Sequence, residues 1–61
     1  MTTKELAFEQ AEKIRLQIAP NSKLVLDHFE SFPRYWKFCF EVQIDGDVRA
    51  RFTIRQEEVG S

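Results

Sequence analysis

Residues 34–44 alternate between apolar and polar side chains, and this pattern restricts the fold more than any other feature of the sequence. The apolar side chains occupy the even positions: Trp36, Phe38, Phe40, Val42 and Ile44. The odd positions between them carry Tyr35, Lys37, Cys39, Glu41 and Gln43. A period of two predicts a β-strand with one buried face and one face toward water.

Two further segments show the same period. After Asp45-Gly46, the even positions are Val48, Ala50, Phe52 and Ile54, and the odd positions are Arg49, Arg51, Thr53 and Arg55. Before the central segment, Leu24 and Leu26 share one face, and His28 in the same phase is expected at the margin of the core. We therefore predict three strands, at about residues 23–29, 34–43 and 47–56.

The loop at Asp45-Gly46 sets the register between the last two strands. A two-residue turn would pair even positions with odd ones and would place Phe40 beside Arg51 on one face. A three-residue loop, with Gly46 in the left-handed conformation, keeps the apolar faces together, so we predict that loop. The cross-strand pairs it implies are Phe38 with Phe52, Trp36 with Ile54, and Glu41 with Arg49.

The N-terminal segment has the pattern of a helix over about residues 3–19. Thr2 and Glu5 have the spacing of a capping box, and Pro20 disfavours helical geometry at the residue before it. At 100° per residue, one stripe of the helix carries Ala7, Ala11, Ile14 and Ile18.

These elements predict a single α+β domain over residues 1–61. One N-terminal helix packs on a three-stranded antiparallel meander, in the order α-β-β-β, which gives two layers around one core. A domain of 61 residues buries only about 60% of its unfolded surface. Because the single cysteine cannot form an internal disulfide, a homodimer is expected to supply additional stability.

Composition excludes several other classes. Leu, Ile, Val and Phe total 18 residues and the net charge is −1, so a disordered charged tail is not expected. No run of 18 apolar residues is present, so no membrane association is predicted. No secretory signal pattern opens the chain, and an unpaired Cys39 fits a reducing compartment. The expected location is the cytoplasm.

The polar face of the predicted sheet carries the candidate functional residues. They are basic or amphipathic side chains of the kind enriched at protein interfaces: Tyr35, Lys37, Arg49, Arg51 and Arg55. We expect this face to bind another protein, with contact to a nucleic-acid phosphate backbone as the alternative. The same charges would also serve simply to block aggregation through sheet edges.

No catalytic, cofactor or metal site is predicted. Trp36, Phe38 and Phe40 mix with basic residues as in single-strand nucleic-acid platforms, but their phase assigns them to the core. Asp27, His28 and Cys39 are the only residues that could begin a catalytic site, and we expect it to need a dimer. One histidine and one cysteine are too few for a typical zinc site, so the protein is expected not to be an enzyme.

The helix, the short strand and the aromatic stretch Trp36-Lys-Phe-Cys-Phe-Glu41 together resemble the opening of the YrhB-like immunity family of small bacterial proteins. The resemblance covers the helix and up to two strands, and the chain departs from the family pattern at the tight turn of Asp45-Gly46. It implies a cytoplasmic binding protein that neutralises a partner.

Overall fold

A computed structural model describes residues 2–57 and gives one helix followed by a three-stranded sheet. The elements are α1 (Thr3–Ile18), β1 (Lys23–Ser31), β2 (Tyr35–Ile44) and β3 (Asp47–Glu57). The strands are antiparallel in the order β1-β2-β3, and α1 packs on one face of the sheet. This is the predicted α-β-β-β two-layer α+β fold. Within residues 2–57, no helix is long and apolar enough to cross a membrane.

A capping box begins α1, and an extended residue ends it. The Glu5 backbone N–H donates to Thr2 Oγ1 at 3.1 Å, and the Thr2 N–H donates to Glu5 Oε1 at 3.2 Å, which forms the predicted capping box. The bond from the Thr2 N–H lowers the pKa of the Glu5 carboxyl because it favours the charged form. After Ile18 the chain becomes extended at Ala19, directly before Pro20 as expected.

The core lies where α1 crosses the aromatic face of the sheet. Ala7 and Ala11 are 0% exposed, because their small side chains let the helix backbone approach the strands closely. They pack with Phe38, Phe40 and Ile54, and the Phe8 ring meets Phe40 edge-on at 5.1 Å. The prediction that these strand aromatics belong to the core is confirmed. At the last position of α1, Ile18 is 54% exposed and does not complete the predicted apolar stripe.

The predicted three-residue loop between β2 and β3 is wrong. Ile44 pairs with Asp47, so the loop has two residues, and both have positive φ angles: 52° at Asp45 and 82° at Gly46. That combination defines a type I′ turn, whose twist matches the twist of the two strands it joins.

A β-bulge at Arg49 removes the conflict that had argued against the short turn. Gln43 pairs with Val48, but Val42 pairs with Ala50, so Arg49 is an extra residue without a partner on β2. Because of this extra residue, apolar residues of β2 again face apolar residues of β3 beyond the bulge. There, each residue of β2 pairs with a residue two positions further along β3 than predicted. The pairs that replace the predicted ones are Phe40 with Phe52, Phe38 with Ile54, Trp36 with Gln56, and Glu41 with Arg51.

The same bulge changes the position of Val48. Its partner Gln43 belongs to the polar face, and Val48 is 41% exposed instead of continuing the apolar face. The predicted phase of this residue is wrong because the bulge at Arg49 interrupts the alternation of faces along β3.

A second bulge, at Asp27, changes the faces of β1. Leu26 pairs with Phe40 and His28 with Cys39, so Asp27 is the extra residue. Phe29 therefore turns to the aromatic face, where its ring lies 5.5 Å from Trp36. His28 turns to the opposite face and is exposed, so its predicted place at the core margin is wrong.

Candidate functional site

The sheet face opposite α1, called the outer face below, holds the candidate site. The register places side chains from all three strands in rows across it, since directly opposed residues share a face. Three rows cross the middle of the face: Glu30–Lys37–Arg55, His28–Cys39–Thr53 and Val25–Glu41–Arg51. Tyr35 and Glu57 form a further pair at one end.

Tyr35 lies in a three-layer stack at that end. The Arg55 guanidinium carbon lies 3.8 Å from the centroid of the Tyr35 ring, which is a cation–π contact. The Phe32 ring stacks on the same tyrosine at 4.8 Å, with 16° between the planes. Two such groups cannot occupy one side of a ring, so Tyr35 lies between Phe32 and Arg55. The stack fixes the direction of the arginine.

Lys37 and Arg55 are direct cross-strand partners, which places two basic residues side by side on the outer face. Like charges at opposed positions of a sheet repel and reduce stability. Glu30 is opposite Lys37 on β1, but within residues 2–57 neither Lys37 nor Arg55 forms an ion pair. This end of the outer face therefore carries a concentrated positive charge that the described part of the chain leaves without a carboxylate partner.

Arg51 differs from Arg55 because it is already paired. Its Nε lies 3.2 Å from Oε2 of Glu41, and Gln43 donates to the other carboxylate oxygen at 3.2 Å. The Glu41 side chain is largely buried among these neighbours. The centre of the outer face is therefore close to electrically neutral.

Arg49 lies in the bulge near the β2–β3 turn, exposed and without an ion pair among residues 2–57. The five residues predicted to contact a partner therefore fall into three groups. Tyr35, Lys37 and Arg55 cluster at one end, Arg51 is bound to Glu41 in the middle, and Arg49 lies toward the other end.

Asp27, His28 and Cys39 of one chain line the same open cleft. His28 Nδ1 lies 2.7 Å from Oδ2 of Asp27, and His28 is opposite Cys39 in the register. The partner of Cys39 on β3 is Thr53, whose Oγ1 lies 3.8 Å from the sulfur; the predicted register would have placed Arg51 there. The cleft has a volume of about 370 Å³, and within residues 2–57 no group of three or more His, Cys, Asp or Glu side chains is arranged to hold a metal ion.

Sequence reasoning missed the stacking of Phe32 on Tyr35 and the bulge at Asp27. Phe32 and Tyr35 flank Pro33-Arg34, and the Phe32 N–H donates to the Tyr35 carbonyl at 2.9 Å. A proline followed by one residue between two aromatics is typical of a turn, and that signal would have paired the two rings. Asp27 has no comparable signal.

Comparisons of the chain with protein-family models, with curated proteins and with solved structures find no match in any of the three. We therefore infer the function of the protein from the chemistry of its outer face.

Proposed function

We propose that the protein is a non-enzymatic module that binds another protein through its outer face. The contacts are centred on Tyr35, Lys37 and Arg55, and Arg51 and Arg49 extend them along β3. One observation carries the proposal: Lys37 and Arg55 lie directly opposite each other without an ion-pair partner among the described residues. The expected counterpart is a surface that presents carboxylates.

The repulsion between Lys37 and Arg55 favours such a partner. Opposed like charges cost up to about 1 kcal/mol relative to neutral residues, and a carboxylate between them would convert this repulsion into attraction. Charge-assisted hydrogen bonds from arginine to carboxylate are among the strong polar contacts in proteins.

The Tyr35 stack adds a second physical reason. A long arginine side chain usually loses rotamer freedom when it binds, at about 0.5–1.5 kcal/mol. Because Tyr35 already holds Arg55 in place, part of that loss occurs on folding and not on binding. Tyrosine and arginine are also enriched among the residues that dominate interface energies.

Nucleic-acid binding is the second candidate, and the same cationic end favours it. Two observations weigh against it. Both sides of the Tyr35 ring are covered, so the ring is not free to stack on a base. Glu30 and Glu41 share the outer face with the basic residues, and the net charge of the whole chain is −1, whereas nucleic-acid domains are usually strongly basic.

A comparison of charge variants tests the proposal. Immobilised wild-type protein is exposed to extract of the native host, and retained proteins are quantified by mass spectrometry. Lys37→Ala/Arg55→Ala should lose a partner that wild type retains. Lys4→Ala/Lys13→Ala, which removes the same charge from α1, should keep it. Equal retention by both double variants would reject the outer face as the binding surface.

Titration with labelled single- and double-stranded DNA and RNA at two salt concentrations tests the second candidate. Phosphate contacts predict affinity that falls steeply as salt rises. Absence of binding at low salt would exclude this candidate. Binding that Lys37→Ala/Arg55→Ala abolishes would favour nucleic acid over a protein partner.

The proposal includes self-association, because a second subunit would stabilise a domain of only 61 residues. We expect the module to act in the cytoplasm, where a free Cys39 stays reduced. Neutralisation of a partner, which the resemblance to YrhB-like immunity proteins implies, is a form of this function.

A further inference from the structure

Among residues 2–57, strand β3 forms a long free edge of the sheet. It pairs with β2 on one side only, and from Ala50 to Glu57 its register has no bulge. The other edge, β1, is interrupted in its middle by the bulge at Asp27. Bulges protect edges against pairing with other strands, so β3 is the edge open to strand addition.

The hydrogen bonds of the sheet determine which backbone groups of β3 are free. The Phe32 N–H donates to the Tyr35 carbonyl, and bonded and non-bonded pairs alternate along antiparallel strands. Tyr35, Lys37 and Cys39 therefore direct backbone groups toward β1, and the residues between them direct theirs toward β3. Within residues 2–57, every second residue of β3 is therefore left with backbone groups that have no partner in the sheet: Arg51, Thr53, Arg55 and Glu57.

We propose that two copies of the chain associate by antiparallel pairing of their β3 strands, centred on Ile54, to form a continuous six-stranded sheet. The inference rests on the self-association included in the proposed function and names the surface that performs it. It does not require the outer face, which stays open in both copies.

Charge and the length of the paired segment together select the register, since a pairing centred on Gln56 also opposes Arg55 to Glu57 but joins fewer residues of β3. Apolar faces stay together only when the symmetry axis passes through a residue, since a shift of one position exchanges the faces. Centred on Ile54, the pairing places Arg51 opposite Glu57 of the second copy, twice by symmetry. Centred on Thr53 it opposes Arg51 to Arg55, and centred on Arg55 it opposes that arginine to itself. Only the first of these three gains attraction from every charged pair within residues 51–57.

The backbone agrees with this register. The residues with free edge groups face one another, Arg51 with Glu57 and Thr53 with Arg55. Four such pairs, each exchanging two hydrogen bonds, would give about eight backbone hydrogen bonds across the axis. The Ile54 side chains meet at the axis on the aromatic face, where each already belongs to the core of its own domain.

A charge-reversal series measured by sedimentation equilibrium tests the register. Wild type should sediment at twice 7.3 kDa. Arg51→Glu and Glu57→Arg should each weaken the dimer by roughly tenfold or more, because each creates two like-charge pairs. The combined Arg51→Glu/Glu57→Arg variant should restore the dimer, although Arg51→Glu still lacks the ion pair with Glu41.

Arg49→Glu is the matched control on the same strand. It reverses an equal charge, but the register centred on Ile54 does not place residue 49 opposite Glu57, so the dimer should persist. Loss of the dimer in this variant would indicate the register centred on Thr53 and would overturn the one proposed.

A backbone variant tests the edge independently of charge. Thr53→Pro removes an N–H that faces the free edge and leaves the bonds to β2 intact, so it should give a folded monomer by circular dichroism and sedimentation. Ser31→Pro removes a free N–H from the opposite edge and should leave the dimer in place. If Thr53→Pro does not fold, Thr53 with a methylated backbone nitrogen, made by chemical synthesis, provides the same block.

The outcomes separate the two claims. A dimer that survives both the charge reversals and the Thr53 block would overturn the β3 edge and leave self-association standing. A 7.3 kDa species at micromolar concentration would overturn both. Neither result bears on capture of a partner through Lys37 and Arg55.

Discussion

The guanidinium group of Arg55 lies 3.8 Å above the ring of Tyr35, and the cross-strand partner of Arg55 is Lys37. One aromatic ring therefore fixes one of two adjacent cations. The two basic residues attract a carboxylate ligand. Because the Arg55 side chain is already restrained, it loses less rotamer freedom when the ligand binds. This arrangement separates the proposed contact from an ordinary solvated face.

Replacement of Tyr35 tests the role of the stack. Tyr35→Ala should weaken partner binding about tenfold, because Arg55 becomes free to rotate. Tyr35→Phe keeps the ring and should bind nearly as wild type does. Titration calorimetry with the purified partner measures both affinities. Equal weakening by the two variants would instead assign the contact to the tyrosine hydroxyl.

Deletion of Arg49 tests the β2–β3 register. Arg49 is the extra residue of the bulge, so its removal should leave a regular hairpin with every core side chain on its original face. We expect the shortened chain to fold with stability within about 1 kcal/mol of wild type, as measured by urea denaturation.

Deletion of Thr53 is the control for this experiment. It removes a regularly paired residue and turns all residues on one side of it to the wrong face, so the chain should not fold. If the Arg49 deletion unfolds and the Thr53 deletion folds, the bulge is misplaced.

The capping box predicts a specific pH dependence. The pKa of Glu5 is lowered below its ordinary value of 4.5 by the hydrogen bond from the Thr2 backbone. A carboxyl with a lowered folded pKa stabilises the fold above its unfolded pKa, and this stabilisation is lost as the pH falls through the folded pKa. The stability advantage of wild type over Glu5→Gln should therefore be constant near neutral pH and shrink below about pH 4.5. Urea denaturation across pH measures it, and an advantage that grows in acid would contradict the assignment.

The close approach of α1 to the sheet predicts intolerance of larger residues at Ala11. Ala11→Leu should destabilise the fold by about 2 kcal/mol, because Ala11 is 0% exposed against the core. Leu16→Ala, at a position of the same helix that is 51% exposed, should change stability by less than about 0.5 kcal/mol. Thermal denaturation of the two variants checks the contrast, and similar melting temperatures would show that the helix does not pack as described.

Local signals in the sequence were sufficient for the fold. The period of two in β2 needs no tertiary information, and the spacing of Thr2 and Glu5 specifies the start of α1 through hydrogen bonds three residues apart. The order of the strands follows from their short connections.

Register was not predictable in the same way, because it depends on bulges. The apolar alternation around Arg49 is unbroken in the sequence. Two models are therefore consistent with it: a three-residue loop, or a two-residue turn followed by a bulge. Beyond Arg49, both models place the same side chains of β2 and β3 on the apolar face. The intrinsic preference of Asp-Gly for a type I′ turn decides between them, and periodicity alone gave that preference too little weight. The bulge at Asp27 brings the Phe29 ring into contact with Trp36 and Phe38. This contact depends on the packing of the aromatic face, so no local pattern in the sequence indicates it.

The composition of the candidate site was predictable and its grouping was not. Alternation placed Tyr35, Lys37 and Arg55 on one face. Their clustering depends on cross-strand pairs that changed with the register. The predicted register would place Arg51 opposite Cys39, but Arg51 lies opposite Glu41.

The most direct test of the outer face uses Cys39, the only cysteine of the chain, which lies half-buried on that face between His28 and Thr53. Its rate of alkylation by iodoacetamide is measured in the free protein and in the complex with the captured partner, with the urea-unfolded chain as the reference for full access. Binding through the outer face predicts that alkylation slows by about tenfold or more in the complex, because the interface excludes the reagent. An unchanged rate would show that the partner binds elsewhere.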